Sequence, residues 1–266
     1  MQLAASGRGV SLSYDGHAAV SRSDFDIPAH QLTAVIGPNG SGKSTLLNGI
    51  SGLAKLTSGT IEVFGSSHYE PGQIAYVLQT AKVNDSIPVT VKEIVAMGRY
   101  ARHGMFGAFD STDRAAVAAA LDRLQISELA DAHLSELSGG YRQRVFVAQG
   151  LAQEADLLLM DEPVTALDLV SHELIIEAVR SELEDGRTVV FTTHNLAEAE
   201  ESDHVILMAH RVAAQGAPDQ VLTPDLLSAA YGVGIVHLED GSIVLDDAVH
   251  GADRRHIHFE RGPGTD

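Results

Sequence analysis

The chain of 266 residues contains no cysteine and no tryptophan. The first absence excludes disulfides and cysteine-ligated zinc, so a chain of this length must be held together by its hydrophobic core. Basic residues are scarce, with 18 Lys and Arg against 36 Asp and Glu and a formal net charge of -18. That balance excludes a broad nucleic-acid-binding face but permits a local basic site for a nucleotide. No nucleic-acid partner is expected. Long apolar runs are missing too. The N-terminus MQLAASGRGV lacks the apolar stretch of a signal peptide, and nowhere do about 18 apolar residues run uninterrupted, as a spanning helix would need. Any membrane association is expected to come through a partner.

What is present is an alternation of strands and helices. VSLSY, AAVSRSDFDI and LTAVI read as short strands bounded by Gly, Pro or Asp. LTAVI runs straight into GPNGSGKST and then the periodic STLLNGISGL, which predicts a strand, a tight loop and a helix. TIEVF and IAYVLQ read as two further strands, the second ending at Gln79. Thr90 and Glu93 have capping-box spacing and open the helix VKEIVAMGRY. A second helix is predicted over about Thr112 to Leu124. A third, from Ser138 to Gln153, precedes DLLLM, a strand without polar alternation, as buried parallel strands show. After it come a helix over about Leu169 to Glu184, the strand RTVVFTTH, a short helix in NLAEAEES and the strand HVILMA. This order predicts an α/β fold with a mostly parallel sheet covered by helices on both faces. In IVHLEDGSIVLDD, the turn residues between two apolar runs predict a hairpin.

Three segments carry chemistry. Gly37-Pro38-Asn39-Gly40-Ser41-Gly42-Lys43-Ser44 fits the P-loop pattern, in the strand-loop-helix context the pattern requires. Its glycines let backbone N–H groups turn inward around phosphates, Lys43 adds a positive charge and the Ser44 hydroxyl can ligate Mg²⁺. DLLLMDEP delivers Asp161 and Glu162 from a buried strand to the carboxyl edge of the sheet, where open α/β folds bind ligands. Asp161 suits magnesium held through water, and Glu162, on the other side of the strand period, suits a water attacking a γ-phosphate. His194 and Gln79 each end a strand that reaches the same edge. LSGGYRQR, Leu137 to Arg144, is a second glycine-rich loop in a chain that already holds a complete phosphate loop.

Together these segments resemble the ATP-binding cassette (ABC) family: the P-loop, Gln79, the signature LSGGYRQR, the acidic pair in LLLMDEP, the turn ALD at Ala166 to Asp168, and His194. Their order and spacing agree with the family from about Leu12 to Gly232. The resemblance implies a P-loop ATPase core at 1–232, with an N-terminal antiparallel β subdomain and a helical subdomain at about 85–150. A hairpin and a flexible histidine-containing tail follow at 233–266. It implies ATP and Mg²⁺, and a homodimer in which Ser138, Gly139 and Gly140 of one chain contact the γ-phosphate held by the other chain's loop, Gly37 to Thr45. It also implies that Tyr14 stacks on adenine, that Asp168 lies at the dimer seam, that Gln79 touches the metal and its water, and that His194 contacts the γ-phosphate. The chain departs from the family pattern at three places. Tyr141 stands where glutamine is usual, Asn195 where an acid is common, and Ala29-His30-Gln31 where many members have Gly-Glu.

SIPVTVKEIVAMGRY and LAQEADLLLMDEP look most like the ATPases of zinc and manganese importers, with zinc placed first. LTPDLLSAAYGV is also similar to importers of iron chelates, haem and cobalamin, which form the alternative. A third reading is a soluble ABC ATPase outside transport, but the long coiled-coil insertions, second cassettes and basic arms common in such proteins are missing. An importer implies an integral membrane permease gripped by the segment around Val91 to Tyr100, a place on the cytoplasmic face of the membrane, and, indirectly, an extracytoplasmic metal-binding protein. His237, His250, His256 and His258 are read as a solvated tail rather than a metal sensor.

Overall fold

A computed structural model describes residues 2–14, 17–70, 72–78, 88–103, 108–165, 167–232, 235–237 and 243–245. β1 (Leu3–Tyr14) and β2 (His17–Pro28) pair antiparallel, and β3 (Leu32–Ile36) then enters a different sheet and leads into α1 (Lys43–Ile50). β4 (Leu56–Val63) returns to the other edge of β1, giving a three-stranded sheet of order β2-β1-β4. β2 is twelve residues long, one more at each end than the sequence pattern predicts, and β1, also twelve, is far longer than the predicted VSLSY. Gly7 and Gly9 hide this length on paper, since glycine weakens a strand pattern. In the fold both are needed. A Cβ on Gly7 would lie 2.2 Å from the ring of the fully buried Phe25, and Gly9, at φ +60, sits where the register with β2 shifts.

After β5 (Ile74–Val77) the chain builds α2 (Val91–Met97), α3 (Tyr100–His103), α4 (Ser111–Arg123) and α5 (Gly139–Ala152). The expected capping box at Thr90 and Glu93 is present, and Asp110 with Asp113 makes a second one that starts α4 one residue earlier than predicted. An ion-pair cluster locks these helices together. Arg99, just beyond α2, donates from Nε to Asp113 at 2.9 Å, and from Nη1 to the Ala152 carbonyl at 2.8 Å and Glu154 at 2.6 Å, where α5 ends. His103 Nε2 also lies 2.8 Å from Asp113. The Asp113 carboxyl is held well below the usual carboxylate range, first by the backbone N–H of Asp110 and then by His103 and Arg99.

The chain then alternates: β6 (Leu157–Met160), α6 (Leu169–Glu184), β7 (Thr188–Thr193), α7 (Leu196–Glu200), β8 (His204–Met208) and β9 (Val212–Gly216). α8 (Pro218–Val221) and α9 (Pro224–Tyr231) close the main body, and β10 (Ile235–His237) pairs antiparallel with β11 (Ile243–Leu245), as the hairpin pattern predicts. The central sheet has the order β5-β6-β7-β3-β8-β9 and is parallel except for β9. Every residue of β6 and β7 is buried, which matches their unbroken apolar runs.

The expectation of helices on both faces needs one correction. Leu158, Met160, Val189 and Phe191 face a core built from the α2, α4, α5 and α6 side, whereas Leu157, Leu159, Val190 and Ile206 face α1 and the antiparallel sheet. One cover is therefore largely β. Strand periodicity buries both faces of β6 without revealing what covers each. Among the described residues, no helix is long and apolar enough to cross a membrane.

Candidate functional site: a phosphate loop at the carboxyl edge of the sheet

The loop between β3 and α1 is shaped by three glycines at positive φ: Gly37 at 149°, Gly40 at 78° and Gly42 at 100°. A Cβ on Gly37 would stand 2.2 Å from the Met208 carbonyl oxygen, and one on Gly42 2.7 Å from that of Ala19, so neighbouring backbone closes the loop from below. Nothing lies within 4 Å of a Cβ on Gly40, at the loop's open crest. No side chain caps the start of α1, where N–H groups and the helix dipole together favour an anion. Lys43 folds back over the loop, its Nζ donating to the carbonyls of Gly37 at 2.8 Å and Pro38 at 3.3 Å. Burial lowers its pKa, and the nearby Glu162 and Asp161 oppose that shift. Ser44 is exposed beside it.

The strand register brings the other candidates to this edge. Ile36 pairs with Thr193 and Met160 with Phe191, so Gly37, His194 and Asp161 all leave the sheet at its carboxyl end, with β7 between β6 and β3. Thr192, which the sequence reading passed over, organises the acidic pair. Its Oγ1 donates to Asp161 Oδ1 at 2.6 Å and accepts from the Glu162 N–H at 2.8 Å. Asp161 is buried, and Glu162 takes φ 48°, a left-handed conformation uncommon for a glutamate. Strain of this kind collects at sites where a side chain must be aimed. The polar pair Thr192-Thr193 in an otherwise apolar strand was the available signal. His194 is exposed at the end of that strand. Gln79, Ala166, His250, His256 and His258 lie outside the described residues, as do the side chains of Tyr14 and His237.

The second glycine-rich loop is wired to α6. Ser138 is the N-cap of α5 and makes no side-chain capping bond, and Tyr141 stands where a glutamine would return a bond to the Ser138 N–H. Asp168 caps α6 by accepting from the Ser171 N–H and from Ser171 Oγ, both at 2.9 Å, and these bonds lower its pKa. Ser171 Oγ in turn accepts from Arg144 Nε at 3.1 Å, and the Arg144 guanidinium carbon lies 4.2 Å from the centre of the Tyr141 ring. Gly140 packs so closely that a Cβ there would meet Asp168 Oδ2 at 2.5 Å. The structure thus joins Gly140 and Asp168, as it joins the phosphate loop and the acidic pair. Ser171, which bonds both Asp168 and Arg144 of the signature segment, belongs to no motif. In Ala29-His30-Gln31, the segment that departs from the family's Gly-Glu, His30 takes φ 59° and its ring contacts the Gly186 carbonyl. An open cleft of about 1050 Å³ lies between α6 and α7, and none of residues 37–45 lines it.

A family model described as ABC transporter matches residues 20–165. The chain belongs to the ABC transporter family. It is 37% identical over 225 residues to the zinc transport system ATP-binding protein TroB of Treponema pallidum, covering 84% of this chain and 85% of TroB. It is 36% identical over 243 residues to the chelated iron transport system membrane protein YfeB of Yersinia pestis (90% and 82%). It is 34% identical over 224 residues to the manganese transport system ATP-binding protein MntB of Halalkalibacterium halodurans (84% and 89%). Among solved structures, an ABC transporter described as of the metal-chelate type, in an inward-facing conformation, superposes with a TM-score of 0.76 at 29% identity, covering 91% of this chain and 95% of that one. The chain is an ABC transporter ATPase, of the kind that works with a membrane permease.

Proposed function

We propose that this chain is the ATPase of a transition-metal importer, zinc ahead of manganese, working as a homodimer on the cytoplasmic face of the membrane beneath an integral permease. The observation that carries the reading is the phosphate loop set level with Asp161, Glu162 and His194 at one sheet edge, in a chain whose relatives are named for zinc, manganese and iron-chelate transport. The loop residues Gly37 to Thr45 receive the phosphates through backbone N–H groups, and Lys43 Nζ turns from the loop carbonyls to the β- and γ-phosphates. The donor set fits magnesium: the exposed Ser44 hydroxyl would hold it directly and the buried Asp161 carboxylate through water, with phosphate and water as the other donors. Magnesium, when bound, neutralises charge on the phosphates. Glu162 takes a proton from the attacking water, with Thr192 fixing its backbone. His194 and Gln79 contact the γ-phosphate and the metal-bound water, and Tyr14 stacks on adenine.

Ser138 to Gly140 serve the partner chain's γ-phosphate, and Asp168, packed against Gly140, lies at the seam. The partner permease would be gripped where Leu78, Met97 and Tyr100 present apolar surface, at 52%, 43% and 58% exposure. ATP-driven closure of the dimer is there converted to movement of the permease. An extracytoplasmic metal-binding protein would act on the far side. YfeB and the metal-chelate type structure favour a second reading, import of an iron chelate. Uptake of labelled zinc, manganese and a ferric chelate in cells lacking this chain separates the two. Selective loss of zinc uptake, restored by the chain, is expected; loss confined to the ferric chelate supports the second reading.

A further inference from the structure

We infer that Glu198 is the positioning residue for His194. The inference rests on the reading of His194 as a γ-phosphate contact and adds the group that holds it in place. His194 is exposed, so packing does little to fix its backbone. A closed set of hydrogen bonds does so instead. Glu198, on α7, accepts from Thr193 Oγ1 at 2.6 Å through Oε2 and from Asn195 Nδ2 at 3.1 Å through Oε1. Thr193 Oγ1 also accepts from the Asn195 N–H at 3.0 Å, and Asn195 Oδ1 caps α7 by accepting from the Ala197 N–H at 3.0 Å. The residues on either side of His194 are therefore tied to one carboxylate, and turning the His194 peptide breaks at least two bonds at once. Both carboxylate oxygens are used, and the Glu198 side chain is only 15% exposed, so its bond to Thr193 is the shielded half of the clamp and its bond to Asn195 the half open to water.

From α6, His172 Nε2 lies 3.6 Å from Glu198 Oε1, beyond hydrogen-bond distance. Asn195, where an acid is common in the family, matters to this design. Its amide supplies both the acceptor that caps α7 and the donor that meets Glu198. A glutamine at 198 keeps one acceptor for Thr193 but turns its NH₂ toward the NH₂ of Asn195. An aspartate at 195 opposite that glutamine restores the pairing with donor and acceptor exchanged.

Steady-state ATP hydrolysis by the full chain tests this with Glu198→Ala, Glu198→Gln, Asn195→Asp/Glu198→Gln and His194→Ala, each checked by thermal melting. Glu198→Ala is expected to lower kcat about tenfold, because small misplacements of a catalytic group are costly, with KM for ATP moving less than about twofold. Glu198→Gln should lower kcat less, and the exchanged pair should return it to within about twofold of the unmodified chain. Normal kcat in both Glu198 variants, while His194→Ala stops hydrolysis, overturns the positioning role and leaves the reading of His194 standing. A loss that follows the melting temperature and is not restored by the exchanged pair also overturns it, in favour of a purely structural glutamate. If His194→Ala hydrolyses at the normal rate, the reading of His194 itself fails.

Discussion

The loop Gly37 to Thr45 is held by backbone, whereas the glycine-rich start of α5, Ser138 to Arg144, is held by side chains on a neighbouring helix. In the first, the carbonyls of Met208 and Ala19 stand where any Cβ on Gly37 or Gly42 would go, and even Lys43 bonds to the loop's own carbonyls. In the second, the close neighbours of Gly140 are the tips of Asp168 and Ser171, and Arg144 reaches Ser171 from below. A backbone-held loop offers N–H groups at fixed positions and suits a ligand that is always bound in one way. A side-chain-held loop can shift with the helix that carries its partners, which suits a surface that meets and leaves another chain.

That contrast can be broken at several points. The largest effect is expected from Glu162→Gln, which leaves both loops intact and removes the base: hydrolysis should fall by roughly 10²- to 10⁴-fold, while ATP binding persists and a dimer accumulates in gel filtration. Hydrolysis at the normal rate would remove Glu162 from its role. Gly37→Ala should come next, losing ATP binding by calorimetry, because the new Cβ meets a backbone oxygen that cannot move aside. Gly140→Ala meets only side-chain atoms, so it should keep ATP binding and lower kcat about tenfold. If both glycine variants lose ATP binding equally, the two loops are not built differently. The smallest effect is expected at Tyr141→Gln, which exchanges an exposed cation–π contact of about 0.5–1 kcal/mol for a possible capping bond and should change kcat by about two- to threefold.

Legibility in the sequence follows the same division. The phosphate loop could be read directly, because close backbone approach to an anion demands glycine at fixed spacing and lysine beside it. Asp161, Glu162 and His194 were legible as strand ends, because parallel strands deliver their carboxyl ends to one edge. Thr192, Ser171 and Glu198 were not, nor was the reach of Arg144, in the signature, to Ser171. Each acts through a neighbour 30, 27 or a few residues away in sequence, and hydrogen-bonding side chains of these types have no periodicity to betray them. The long β1 was obscured by Gly7 and Gly9, whose reasons lie in Phe25 and a register shift. The left-handed Glu162 left no trace either, since glutamate is not a residue that announces positive φ.

In the proposed dimer, each chain's Ser138 to Gly140 completes the other chain's phosphate loop. Mixing two inactive chains tests it most directly. Lys43→Ala disables a phosphate loop, and Gly139→Asp sets a negative charge at the start of α5, where an added Cβ has nothing within 4 Å and the chain should still fold. Each variant alone should hydrolyse ATP at background rate. In a head-to-tail dimer, both defects of a mixed pair fall in one site and the other is intact. An equal mixture should therefore recover toward about a quarter of the unmodified rate, since half the dimers are mixed and each keeps one site of two. If each chain's second loop instead served its own phosphates, the mixture would stay at background.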